Sequence, residues 1–256
     1  MSKKKEILLK IHEVKPFILT ISNYYPIDLI ASGIRSIGAY PLMSNSEQEI
    51  EELFHLAQAV VINLGKSDDK FLKICSHICR IANEHKKPII LDPVGAGISR
   101  YRTDIAINIL KENSISIVRA YPNEIASLLK GELIILNHTL ADYNQLVEKA
   151  KQFSEEQNLL VVMSGKITTI IDSDRFDRFN YDASLLQKVA GIGNLLSAIL
   201  AVFHAVEKDR FVAAQAAIEF YGNCVGSATS RAKGPASLKT ELIDQLYIYS
   251  SESMQW

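Results

Sequence analysis

The chain has 256 residues, of which 48% are hydrophobic and 22% charged, and its formal net charge is −1. This composition excludes a disordered chain, and the near-neutral charge leaves no basic field to draw nucleic acid or anionic lipid. The length allows one large α/β domain or two small ones. Met1–Lys10 is basic but has neither a long apolar stretch nor a small-residue cleavage site, so no signal peptide is expected. In chain order, 17–21 reads as a strand, 27–37 as a helix, and 59–64 as a buried strand ending at Gly65. Helical spacing at 71–84 precedes a buried strand at 88–91. A helix at 103–111 precedes a strand at 115–118, and a further helix follows Asn123 as its N-cap. Next come a helix at 140–156, a strand at 159–163, and a hairpin partner at 167–171. The remainder is helical, at 193–206, 211–228 and 237–249.

Continuous β-branched runs alternating with helices predict a mainly parallel sheet covered on both faces. The longest apolar run, 195–206, is too short to span a bilayer, so no membrane association is expected. Cys75, Cys79 and Cys224 form no disulfide framework and read as buried free thiols, which suits the cytoplasm.

Ligands of such sheets bind beyond the carboxyl ends of the strands, so the residues there carry the functional expectation. Asp92-Pro93-Val94-Gly95-Ala96-Gly97 follows the strand at 88–91. An Asp there can hold a hydrated Mg²⁺ near phosphates, or simply cap a tight turn. After the strand at 115–118 stand Arg119 and Glu124. Arg119 can fork onto a phosphate, while Glu124 in the first helical turn also fits plain capping. Ser164-Gly165 suits either a nucleotide loop or a hairpin turn. Gly191-Ile192-Gly193-Asn194 opens an apolar helix, where free N–H groups can bind an anion or simply allow close packing.

Taken together and in this order, these segments resemble the hydroxyethylthiazole kinase family, ribokinase-like enzymes of thiamine salvage. The resemblance runs from Pro16 to Leu238. It is carried by Ile21-Ser22-Asn23, Gly38-Ala39-Tyr40-Pro41-Leu42-Met43, the 92–97 loop, 119–124, 191–193 and Lys233-Gly234-Pro235. It implies a single three-layer α/β/α ribokinase-like domain over 1–256, with a mainly parallel central sheet. It also implies a homotrimer with active sites between subunits, and phosphorylation of 4-methyl-5-(2-hydroxyethyl)thiazole by Mg²⁺ and ATP. By matching positions, Asn23, Met43 and Gly191 would contact the small-molecule substrate. Arg119 and Ser164 would hold ATP, Asp92 and Glu124 would organise Mg²⁺, and Gly193 and Asn194 would stand at the catalytic turn. The family usually has Thr where Ser164 stands.

Three other departures stand out. Asn194 replaces the usual Cys, Ala120-Tyr121 replaces Gly-Asn after the Arg, and Tyr181-Asp182-Ala183 replaces Asn-Gly-His. Asn has no titratable group, so it cannot take a proton from the alcohol. Loss of a general base costs about 10²–10⁴ in rate rather than all of it. The expectation is therefore a slow kinase. The alternative is a relative that binds a similar heterocyclic alcohol without turning it over, or that accepts a different one.

Overall fold

The computed structural model describes residues 2–22, 27–131, 140–181 and 184–252. Its elements are α1 (Lys3–Val14), β1 (Phe17–Ile21), α2 (Ile27–Ser36), β2 (Tyr40–Met43), α3 (Ile50–Leu56), β3 (Ala59–Asn63) and α4 (Asp69–Glu84). They continue with β4 (Ile89–Asp92), α5 (Arg100–Glu112), β5 (Ile117–Ala120), α6 (Pro122–Lys130), α7 (Leu140–Gln157) and β6 (Leu160–Met163). The last are β7 (Ile167–Asp172), β8 (Arg175–Asn180), α8 (Ile192–Val206), α9 (Arg210–Arg231) and α10 (Pro235–Glu252).

The eight strands form one sheet in the order β2-β1-β3-β4-β5-β6-β7-β8. The pairs from β2 through β6 are parallel, and the β7–β8 hairpin closes the far edge antiparallel. Strand order reverses at β1, between β2 and β3, which is where doubly wound sheets open a crevice. Two hydrophobic clusters cover the two faces. One gathers α1, α2, α8, α9 and α10; the other gathers α3 to α7. This is the expected three-layer α/β/α arrangement.

Several boundaries differ from the sequence reading. The strand expected at 115–118 runs 117–120, so Arg119 lies inside the sheet rather than beyond it. Helix α6 begins at Pro122 with Tyr121 as its N-cap, in place of Asn123. Proline at the first helical position is preorganised for the turn, and the Glu124 carboxylate two residues on accepts the Tyr121 N–H at 2.8 Å. Elements α1, β2, α3 and β8 were not expected. Strand β2 has only four residues, broken by Pro41, and β8 has only Phe176 and Phe179 as apolar residues, three apart on an edge strand, so neither carries a strong hydrophobic run. Cys75, Cys79 and Cys224 are buried free thiols, and burial raises the pKa of each. Among the described residues no helix is long and apolar enough to cross a membrane.

Candidate active site

The site follows from strand alternation. Successive side chains of a strand point to opposite faces. Ile18, Val61, Ile90, Ile117 and Val162 all enter the cluster on the α8 face. Two residues further along stand Thr20, Asn63, Asp92, Arg119 and Ser164, which therefore face α8 as well, and all five are buried. Each of these strands turns from apolar to polar at its carboxyl end. The result is a polar row across the sheet, with Asn63 directly opposite Asp92 in the register.

Asp92 is fully buried. Its Oδ2 accepts the Ser197 hydroxyl at 2.7 Å and faces Arg119 Nη1 at 3.5 Å, while Oδ1 makes no hydrogen bond among the described residues. Burial raises the Asp92 pKa above the ordinary carboxylate value, opposed by Arg119 and Ser197. Arg119 is 2% exposed, and its Nη2 donates to Ser164 Oγ at 2.5 Å. The Tyr121 ring lies over the guanidinium, with its centroid 4.3 Å from Cζ. Burial opposes the Arg119 charge, but Asp92, Tyr121 and Glu124 together hold its proton more firmly than usual.

The two glycines at the start of α8 have separate jobs. Gly191 is the N-cap, with φ of 86°, a left-handed conformation that favours glycine. Gly193 makes room: a Cβ built there would lie 2.2 Å from Arg119 Nη1. The first N–H groups of α8 have no intrahelical acceptor and carry the positive end of the helix dipole. Ser197, one turn further in, bonds both Asp92 and the Gly193 carbonyl, the latter at 3.2 Å.

The loop after β4 is tied down by Glu124. Gly95 and Gly97 adopt φ of 84° and 87°. The Glu124 carboxylate accepts the Gly95 N–H at 3.0 Å as well as the Tyr121 N–H. Burial first, then the Asp92 charge, push Glu124 up to about 7, against the two N–H donors and Arg119.

Two hollows flank the polar row. A cleft of about 440 Å³ opens at the β5–β6 side, lined by Arg119, Tyr121, Ser164, Lys166, Gly193 and several apolar side chains. Its size is that of a small-molecule site. A pocket of about 80 Å³ lies at the β1–β2 side, bounded by Thr20, Ser22, Met43 and Asn45. Asn45 Nδ2 donates to the Ser22 carbonyl at 2.9 Å, which pins the loop after β2.

Of the residues expected from sequence, Asp92, Arg119, Ser164, Glu124 and Gly193 meet in one place, and Met43 lines the small pocket. Gly191 and Asn194 line neither hollow. Asn194 is half-buried and makes no side-chain hydrogen bond among the described residues. Asn23 and Asp182 lie outside the described residues. Asn63 and Ser197 were not anticipated. Asn63 was legible as the polar end of a wholly apolar strand, and Ser197 as a hydroxyl four residues after Gly193 in an apolar helix.

A model of the hydroxyethylthiazole kinase family matches residues 8–252. A hydroxyethylthiazole kinase of Pyrococcus furiosus is 31% identical over 252 residues, covering 98% of this chain and 94% of its own length. The solved structure of a hydroxyethylthiazole kinase protein from Pyrococcus horikoshii OT3 superposes with a TM-score of 0.88 at 30% identity, covering 97% and 94% of the two chains. A ribokinase-like superfamily protein from Enterococcus faecalis V583 shares the fold, with a TM-score of 0.68 at 14% identity over 99% of this chain and 95% of its own.

Proposed function

The chain belongs to the hydroxyethylthiazole kinase family, and from that premise we propose that it transfers the γ-phosphoryl group of MgATP to the primary alcohol of 4-methyl-5-(2-hydroxyethyl)thiazole, a step of thiamine salvage. The observation that carries the reading is the buried polar row between the small pocket and the large cleft. Strand β1 is three strand spacings from β5, roughly 14 Å, so the row lies between the two hollows. The alcohol enters beside Met43, the nucleotide occupies the cleft at Ser164 and Lys166, and the phosphoryl group moves past Asn63 and Asp92.

The donor set fits Mg²⁺. Among the described residues no group of three or more metal-binding side chains occurs, but Mg²⁺ commonly takes one or two carboxylates and completes its shell with water and phosphate oxygens. Asp92, with Oδ1 unpartnered, and Glu124 would supply those carboxylates. When bound, the ion would neutralise charge on the nucleotide phosphates. Ser197 and Arg119 favour the charged form of Asp92, against the burial that raises its pKa. The amides at the start of α8 face the charge that gathers on the transferred group. Asn194 accepts no proton, so the alcohol proton leaves to a phosphate oxygen or water. A loose phosphoryl-transfer transition state tolerates this, because it depends more on positioning and charge stabilisation than on a base.

The same reading makes 1–256 one catalytic domain that assembles as a homotrimer with its sites at subunit interfaces. The position of the small pocket beside the sheet-edge strand β2 supports this, since a neighbouring subunit can reach it there. Three buried free thiols support a cytoplasmic setting.

The test is turnover with MgATP and hydroxyethylthiazole, run beside a hydroxymethylpyrimidine control. Phosphorylation of the thiazole alcohol alone is the expected result. Thiazole binding without MgATP binding or turnover would instead establish a non-catalytic relative, which the Tyr121 ring over Arg119 would then explain.

A further inference from the structure

Tyr221 lies within α9 and is 1% exposed, yet its hydroxyl has no hydrogen-bond partner among the described residues. Native proteins rarely bury a hydroxyl without a partner, because desolvation is then uncompensated. Packing alone does not require it, since phenylalanine would fill the same space at no such cost. The residue is also part of the wall of the large cleft.

That wall is of two kinds. Arg119, Ser164 and Lys166 are polar or cationic and suit phosphates. Leu186, Ile192 and Leu196 belong to the same apolar cluster as Tyr221 and suit the flat face of a base. A second tyrosine sharpens the contrast. Tyr181 meets Thr168 Oγ1 through its hydroxyl at 2.9 Å, and its ring stands edge-on to Tyr221, 6.0 Å away at 82°. Tyr181 is satisfied within the chain and braces its neighbour. Tyr221 is left with a buried donor in the wall of a nucleotide-sized cleft.

We propose that the Tyr221 hydroxyl is the group that reads the nucleobase, donating a hydrogen bond to a ring nitrogen of the bound nucleoside triphosphate; this rests on the kinase reading of the cleft. Burial pushes the phenol pKa well above its ordinary value, so it remains a donor across the physiological range.

The experiment is calorimetric titration of the full chain with a nonhydrolysable ATP analogue and Mg²⁺, and separately with inorganic tripolyphosphate. Tyr221→Phe should weaken the nucleotide about three- to tenfold, the effect of one neutral hydrogen bond. It should leave tripolyphosphate unchanged and the unliganded melting temperature equal or higher. Unchanged nucleotide affinity overturns the proposal, and so does an equal loss for tripolyphosphate, which would assign Tyr221 to the phosphates. On the wild-type protein, a panel of deaza-ATP analogues, each lacking one ring nitrogen, gives the same answer without a variant. One analogue should bind several-fold more weakly than ATP, and equal binding by all of them overturns the assignment. A wild-type protein that binds no nucleotide removes the kinase reading itself, an outcome distinct from a wild type that binds and a variant that matches it.

Discussion

Replacing Gly193 with alanine isolates the contact between α8 and the buried guanidinium. The added Cβ would sit 2.2 Å from Arg119 Nη1 and 2.8 Å from both Cζ and Nη2, far inside van der Waals contact. The backbone at Gly193 is helical, so alanine itself is favoured there, by at most about 1 kcal/mol. The guanidinium cannot yield cheaply, because Nη2 is bonded to Ser164 and Nη1 faces Asp92 in a nearly solvent-free setting. Displacing it breaks a buried charged pair, which costs roughly 3–5 kcal/mol when one partner is lost outright and less when the partner only shifts. The net expectation is about 2–4 kcal/mol of lost stability. For a domain of this size that lowers the melting temperature by about 4–16 °C. Turnover should fall at least tenfold, a shifted donor costing less than the roughly 10²–10³ of losing one outright from the transition state. Thermal unfolding and steady-state kinetics on the purified variant measure both. A variant as stable as the parent with undiminished turnover would refute the claim that Arg119 is held against Gly193.

Further expectations concern groups around the same aspartate. Glu124 titrates near 7 in the folded chain, above the ordinary carboxylate value, so below about pH 7 the native state holds a proton that the unfolded chain has released. Stability should therefore fall as pH rises from the carboxylate range to about 7 and level off above it, and Glu124→Gln should remove that slope in urea unfolding across about pH 5 to 8. Ser197→Ala removes the 2.7 Å bond to Asp92. It should raise the Mg²⁺ concentration for half-maximal rate about tenfold with the thiazole KM unchanged, whereas an unchanged metal requirement would make the residue merely structural. Asn194→Asp or Asn194→Cys should raise the turnover number by about tenfold or more if proton removal limits the rate. No increase from either would mean that Asn194 is not what holds the rate down.

The sheet and most helices were legible because they rest on local pattern. The apolar run Ala59–Ile62 is short, β-branched and followed by Gly65, which favours a buried strand, and the length of 195–206 favours a buried helix. Asp92, Arg119, Ser164 and Glu124 could be named because functional residues of such sheets lie at strand ends. Their connections could not. Ser197 stands 105 residues from Asp92, and no period or motif in the chain links the two. The role of Gly193 was similarly hidden, since a glycine that makes room for a guanidinium looks the same in sequence as one that turns the backbone. The expectation that Arg119 lies beyond its strand failed because β5 continues with polar and small residues, whose placement the sheet decides rather than their propensity. The partial strand β2 escaped notice for a related reason: a short edge strand containing proline has little hydrophobic signal of its own.

The placement of Gly193 and Ser197 on α8 has one more consequence. Beyond its first turn this helix is buried continuously from Leu195 to Phe203, packed between the sheet and helices α1, α2 and α9. Catalytic groups are often carried on loops that open locally at little free-energy cost. Here two residues that contact the buried Arg119 and Asp92 are carried on a helix that is itself the centre of the core, so this part of the site cannot loosen unless the molecule does. Amide hydrogens from Leu195 to Phe203 should then exchange only by global unfolding, and any motion that admits and releases nucleotide must come from the rim of the cleft, such as the exposed Tyr121, with the floor staying fixed.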